Sequence, residues 1–521
     1  MLLRIGCALL AGAGLAQAFE PVGLAILLPL GVAGFVLLVR GLPARRAWLP
    51  GLAFGIGFQF VLLFWMRVVG IEAWLGLAAV QAAFMAPLGA AVSALLRLRG
   101  GPVWAAAAWV AVETIRSEQP WGGLPWGRLS YAVAGTPWQE ALPWLGMAGV
   151  SFVLALLGVL LAQLVTALVG GDARRRRTAL GVTAAGAALS VLPALTPYAA
   201  EPVGERDVAV VQGDVPGDGS NILLDPLQVT RNHVDATVEL ASRVEAGESP
   251  RPDFVLWPEN STVSDPFLDP MVNAGITTAS AAIDVPILVG AMVDAGEEHV
   301  LNQGIVWDPD TGAGDRYTKR HPVPFGEYIP WRSVFPASFG KLAMIPRDMK
   351  SGTRVEPLEV DGVLVADAIC FDIAYDDGIH AQLAAGGQAL VVQTSNATFI
   401  HTHQIDQQFE MTRLRALETG RSVMVAATNG VSGIIAPDGT VLERADTRTR
   451  AVLEHRVVLS DELTPAVRMG PWPGRLSVVA TLLGLLLVLL PYRRRRGEEV
   501  PDERPRTTRS DRDGRPDLQR A

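Results

Sequence analysis

Residues 363–377 read VLVADAICFDIAYDD. An apolar, strand-like run ends in Cys370. Phe371 and Asp372 follow, and a turn or helix start lies near Tyr375. A thiol at the end of a buried strand is well placed to meet a substrate, because strand ends in α/β sheets open into crevices. The other cysteine, Cys7, lies near the N-terminus, so Cys370 has no disulfide partner in its own domain. On this stretch alone, a buried structural cysteine and a nucleophile fit equally well.

The flanking sequence is of two kinds. The chain has 521 residues, half of them hydrophobic, and a mean hydropathy of +0.30, high for a soluble protein. Acidic groups are sparse in the first 200 residues and concentrated in the middle. The net charge of −8 gives no reason to expect a nucleic-acid partner. Two cysteines exclude a disulfide-rich scaffold.

Apolar runs occupy about 2–18, 22–39, 48–66, 74–96, 103–115, 142–168, 179–197 and 476–490. A helix needs about 20 apolar residues to cross a bilayer, so 103–115 is short unless its flanks extend it. Basic residues follow alternate runs, at Arg40, Arg45 and Arg46, at Arg97 and Arg99, at Arg174–Arg177 and at Arg493–Arg496. One topology of eight spans puts all four groups in the cytoplasm and residues 198–474 on the opposite side. Ala16-Gln17-Ala18 resembles a signal-peptidase site. An uncleaved first helix is favoured, because a second apolar run follows at once. Cys7 reads as a packing residue.

Between the fifth and sixth runs, 117–144 holds Trp121, Trp126, Trp138 and Trp144 among Gly and Pro. An aromatic belt at the membrane interface and a lipid-facing rim to a site above the bilayer explain it equally well. From Asp207 the pattern becomes short β-branched strands between amphipathic helices. Strands are expected at 208–212, 254–257, 287–291, 305–307, 363–370, 389–394, 423–428 and 433–436, with helices at 227–244 and 404–418. This is an α/β pattern, and about 250 residues suffice for one core. The expected division is 1–200 membrane region, 205–460 outer domain, 475–492 final span and 493–521 a charged, disordered cytoplasmic tail.

Three polar stretches carry chemistry. A carboxylate, Glu259, leaves an apolar strand in LWPEN. Lys319 and Glu327 lie in the Pro-rich YTKRHPVPFGEYIP. Cys370 lies in ICFD. Singly each is unremarkable, since a Glu after a strand is usually solvated and a loop Lys usually paired. Together, in the order Glu, Lys, Cys, they resemble the nitrilase superfamily. VVQGDVP from Val210, LPWGRLSY from Leu124 and the segment QFEMTRLRALETGRSVMVAATNGVSGIIAPDG from Gln408 narrow the resemblance to its membrane branch, the apolipoprotein N-acyltransferases.

The resemblance implies an α-β-β-α sandwich with a Glu259–Lys319–Cys370 triad. It implies acyl transfer from a membrane phospholipid, through a Cys370 thioester, to the α-amine of a lipidated N-terminal cysteine on an apolipoprotein. Glu327 would orient Lys319 or Glu259, and a backbone N–H near Phe371 would join Lys319 in stabilising an oxyanion. No metal or organic cofactor is required. A monomer in a bacterial inner membrane, with its catalytic domain on the periplasmic side, is the expected setting. The family usually has Tyr-Glu after the nucleophile; this chain has Phe371-Asp372, one hydroxyl and one methylene poorer.

Two rivals were weighed. A membrane-tethered amidase has no need of seven preceding spans or a Trp-rich loop. A transporter or scaffold has no need of an intact triad, and its spans would carry more charge. His401 and His403 lack the companions of a metal site. Arg413, Arg415 and Glu418 read as a charged helix face or intradomain pairs, and Glu113 as an interfacial residue.

Overall fold

The computed structural model describes residues 1–334 and 340–497. Each expected apolar run coincides with helix: Leu2–Ala16, Leu27–Val39, Ala44–Leu62, the consecutive Ile71–Ala83 and Met85–Leu95, Gly101–Glu118, Leu142–Val169, Ala173–Ser190 and Trp472–Gly497. The short fifth run is extended by its flanks to 18 residues. Among the described residues, three helical stretches are long and apolar enough to cross a membrane: Ile71–Leu95, Pro137–Val169 and Trp472–Leu490. The last helix runs to Gly497, past Pro491 and through the arginines assigned to the tail; the remainder of the expected tail, 498–521, lies outside the described residues.

Small residues let the bundle close. A Cβ on Gly12 would stand 2.0 Å from the Phe54 carbonyl oxygen, and one on Gly57 2.0 Å from that of Leu9. The first and third helices therefore touch backbone to backbone. The bundle's basic ends meet. Arg4 donates to the carbonyls of Leu38 and Arg40, Arg97 to that of Leu42, and Arg40 to the Thr166 hydroxyl. Cys7 is exposed on its helix rather than packed.

The outer domain has two mixed sheets. The first contains β1 (Gly204–Gln212), β2 (Phe254–Leu256), β3 (Ile287–Asp294), β4 (His299–Asp308), β5 (Gly312–Thr318) and β6 (Asp348–Met349). The second contains β7 (Leu358–Val360), β8 (Val363–Ile369), β9 (Ala389–Thr394), β10 (Val423–Ala427), β11 (Gly433–Ile435) and β12 (Val441–Arg444). The last strand, β13 (Ala451–Leu459), returns to pair antiparallel with β1. The strand orders are β13-β1-β2-β3-β4-β5, with β6 beside β4, and β12-β11-β10-β9-β8-β7. The central strands β1-β2-β3 and β8-β9-β10 are parallel, and the edges antiparallel.

Period-two alternation builds three layers of core. Val208, Val210, Val363, Val365 and Ile369 meet between the sheets. Ala209 and Val211 face outward under helices Pro226–Glu245 and Pro270–Ile283. Ala366 and Ala368 face outward under Asp377–Ala384 and Gln404–Thr419. This is the α-β-β-α order. The helix Gln404–Thr419 is not a charged surface. It lies between the second sheet and the membrane-side loop, so Gln404, Gln407, Gln408, Arg415 and Glu418 are all buried.

Candidate active site

The strand β8 ends at Ile369, one residue earlier than expected, because Cys370 takes φ +53° and opens a 3-10 turn, Cys370–Ala374. A positive φ at a residue with a Cβ is strained. It turns the chain sharply at the strand end. The Phe371 N–H, second in this turn, sits where helical geometry offers no acceptor.

Glu259 follows β2 and is 3% exposed. Its Oε1 accepts from Lys319 Nζ at 3.1 Å and Asn302 Nδ2 at 2.7 Å; its Oε2 accepts from the Ser395 N–H at 2.8 Å. Lys319 is fully buried. Its Nζ donates also to Glu327 Oε1 at 2.6 Å, and its N–H to the Asn302 carbonyl at 2.8 Å. Glu327 in turn accepts from the Val323 N–H at 2.8 Å, so the Pro-rich loop folds back on its own carboxylate.

Burial opposes the Lys319 charge, but Glu259 and Glu327 outweigh it and hold the ammonium well above its usual range. Burial, opposed by Lys319 and assisted by the Glu259 charge, pushes Glu327 up. Burial also pushes the Cys370 thiol up to about 12; the Glu259 charge adds to this, while Lys319 and a hydrogen bond from Thr394 oppose it. The resting sulfur is therefore a thiol. It needs a base at the moment of attack.

Asp372 organises this site without reacting in it. Its Oδ2 accepts from the Tyr317 hydroxyl at 3.0 Å, the Arg320 N–H at 3.2 Å and the Ile369 N–H at 3.3 Å. Its Oδ1 accepts from the His321 N–H at 2.7 Å. One carboxylate thus ties the nucleophile's turn to the residues just after Lys319. The shorter acid reaches all of them.

Trp126 is not a rim. It is 2% exposed, stacked 6.4 Å from Phe371 and tilted against Trp65 at 5.4 Å, with its Nε1 donating to Gln407 Oε1 at 2.7 Å. The loop carrying it folds inward because Arg116 binds the Leu124 and Trp126 carbonyls. Trp121 is half-buried against Phe325 and Trp331. Trp138 lies elsewhere, bonded to the Ser190 hydroxyl at 3.1 Å. Glu113 is buried too, accepting from Trp109 Nε1 and the Leu129 N–H, rather than interfacial.

Residues 11–160 match the family model of the apolipoprotein N-acyltransferase N-terminal domain, and residues 208–462 that of carbon-nitrogen hydrolase. An apolipoprotein N-acyltransferase of Mycolicibacterium smegmatis is 34% identical over 92% of this chain and 84% of its own length. The chain belongs to the apolipoprotein N-acyltransferase family. One such acyltransferase, from Ralstonia nicotianae, is 30% identical, with 88% of each chain covered. Another, from Gloeobacter violaceus, is 27% identical over 93% of this chain and 94% of its own. Among solved structures, an amidase from Nesterenkonia sp. aligns with a TM-score of 0.35 at 16% identity, over 50% of this chain and 92% of that one.

In this member of the acyltransferase family, a second set of residues joins the two halves of the chain, and sequence reasoning did not find it. Arg128, in the membrane-side loop, donates to both Asp376 oxygens at 3.0 and 2.8 Å. Arg415 lies 2.8 Å from Asp376, pairs with Glu418, and donates to the Tyr131 hydroxyl at 3.1 Å. Tyr131 donates to the Ala374 carbonyl, Tyr375 to that of Gly123 and Tyr328 to that of Trp121. The only sequence signal was the crowding of Arg and Glu on a helix whose apolar residues were too few to bury it alone.

Proposed function

We propose that this acyltransferase moves an acyl chain from a membrane phospholipid, through a thioester on Cys370, to the free α-amine of the N-terminal diacylglyceryl-cysteine of apolipoproteins. The observation that carries the reading is the buried Glu259–Lys319 pair, whose charges act on the strained Cys370 thiol, with Trp126 stacked on the neighbouring Phe371.

In the first half-reaction Glu259 takes the thiol proton as sulfur attacks the ester carbonyl. The S–C bond forms, the C–O bond breaks, and the proton leaves on the lysophospholipid. In the second, the amine attacks the thioester, the N–C bond forms, the S–C bond breaks, and the amine proton returns to sulfur through Glu259. Both pass through an oxyanion, which Lys319 and the Phe371 N–H would stabilise. One such donor is worth roughly 3 kcal/mol. Trp126, Phe371 and Trp65 keep water from the thioester. Glu327 holds Lys319 in place. The steps proposed need no metal or cofactor.

The same reading takes 1–200 and 475–492 as eight spans and 205–460 as the catalytic domain of a monomer. That domain would face the periplasm from a bacterial inner membrane. The meeting of Arg4, Arg40 and Arg97 at one end of the bundle supports this orientation. A reporter active only outside the cytoplasm should be active when fused after Gly247 and silent when fused after Gly497. The reverse pattern would overturn the orientation. For the reaction, labelled phospholipid and a diacylglyceryl-cysteine peptide in detergent should yield labelled N-acyl peptide. Release of free acid at the same rate with and without the peptide would favour a hydrolase instead.

A further inference from the structure

Three inward-facing positions between the sheets interrupt the apolar layer. Asp367 on β8 shares the inward face with Val365 and Ile369, Gln393 on β9 with Val391, and Gly304 on β4 with Val306. Asp367 and Gln393 are both fully buried. A Cβ on Gly304 would stand 2.1 Å from Asp367 Oδ2 and 2.6 Å from Gln393 Oε1. The glycine therefore makes room for both oxygens, and no side chain donates to either: both Asp367 oxygens and Gln393 Oε1 lack a well-formed hydrogen bond, the Ala368 N–H acting on the carboxylate only from the backbone.

Turning the Gln393 amide over does not resolve the conflict. Its Nε2 donates to the Trp257 carbonyl at 2.6 Å and lies 3.4 Å from that of Leu288. A flipped amide would set oxygen against both carbonyls. The Asp367 backbone is itself fixed, clasped at N–H and C=O by the Gln382 side chain. The missing donor must come from the carboxyl group.

We propose that Asp367 is a protonated carboxylic acid that donates to Gln393 Oε1, and that this inter-sheet clasp positions the catalytic carboxylate. The path is short. Gln393 holds the Trp257 carbonyl, two residues before Glu259. The next inward residue on β4 is Asn302, which donates to Glu259, and the residue after Thr394 is Ser395, whose N–H does the same. The surroundings favour the neutral acid. Burial, then the Asp372 charge and more weakly that of Glu259, raise the Asp367 pKa well above its usual range; only the Ala368 N–H favours the charged form. Tyr317 is the remaining titratable group facing it, and it carries no positive charge.

The test has two arms, of which only the second rests on the assignment of Glu259. In detergent at neutral pH, the infrared difference between wild type and Asp367→Asn should contain a protonated-carboxyl C=O band that shifts in D2O. Its absence, as an ionised Asp367 bridged by water would give, overturns the proposal. Stability follows the same proton. Folding raises this pKa, so the stability of wild type relative to Asp367→Asn should be greatest below about pH 4 and fall as pH rises; a flat difference counts against the proposal. In the second arm, Asp367→Asn keeps a donor and should acylate like wild type. Asp367→Val lacks one and should form acyl-enzyme about tenfold more slowly, with unchanged KM for phospholipid. Wild-type rates in Asp367→Val overturn the positioning role. If that variant does not fold, the infrared band still decides the protonation. Full transfer by Glu259→Gln would instead sink the assignment of the base and leave the band untouched.

Discussion

Cys370→Ala should form no acyl adduct and transfer no acyl chain, a loss of at least about 10³-fold, while still folding and inserting. Wild type given phospholipid alone should carry a hydroxylamine-sensitive adduct on Cys370 that the peptide amine discharges. Cys370→Ser should be nearly inactive. A hydroxyl is a far weaker acid than a thiol that already stands near 12, so Glu259 would have more work to do, and an ester aminolyses more slowly than a thioester. Alkylation of the resting thiol should climb about tenfold per pH unit up to that value. The backbone supplies a further check. At φ +53° a Cβ costs energy that glycine avoids. Cys370→Gly should therefore be as inactive as Cys370→Ala but more stable than it by about 1 kcal/mol. Transfer surviving in Cys370→Ala, or an adduct mapping to Cys7, would refute the mechanism.

Lys319→Met should be damaged twice. It loses the oxyanion donor, slowing acyl-enzyme formation and discharge by about 10²- to 10³-fold. It also leaves Glu259 and Glu327 facing each other without the ammonium between them, which should lower stability by about 3–5 kcal/mol. The two losses separate on adding Glu327→Gln. Removing one of the two carboxylate charges should restore part of the melting temperature and none of the rate. If Lys319→Met acylates within tenfold of wild type, Lys319 is a structural counter-ion and the oxyanion is stabilised elsewhere.

Much of this architecture is legible because one rule, alternation with period two, governs most of the outer domain. Val208 and Val210 against Ala209 and Val211 announce a strand with two buried faces, and β8 repeats the pattern. The strands that escape notice are β5, β6, β7, β12 and β13: β6 and β7 are only two and three residues long, and β5, β12 and β13 carry the charged residues of sheet edges. The proposed triad is legible only through the resemblance: Glu259, Lys319 and Cys370 are unremarkable singly, and their order and local motifs carry the assignment. Its supports are not, since Asn302, Ser395 and Asp372 act through geometry that only pairing of distant strands creates. The helix Gln404–Thr419 defeats amphipathic reasoning for a physical cause. It is covered on both sides, and its amides and charges are satisfied by the loop and turn it joins. Trp126 misleads for the converse reason: composition suits an aromatic belt, and only the fold shows that Arg116, in the last turn of the preceding helix, and Gln407 draw it in.

The Arg128–Asp376–Arg415 network has a bearing on how the protein comes into being. Asp376 balances two guanidinium groups, one from each half of the chain, and Trp126 stacks on Phe371, the residue after Cys370. A sheet domain without its helical bundle would keep the Arg415–Asp376 and Arg415–Glu418 pairs but lose Arg128 from Asp376, the Tyr131 hydroxyl from Arg415 and Trp126 from Phe371. The turn that carries Cys370 thus reaches its final packing only when both halves of the chain have met. Competence for the proposed transfer would arrive with that assembly and not before it.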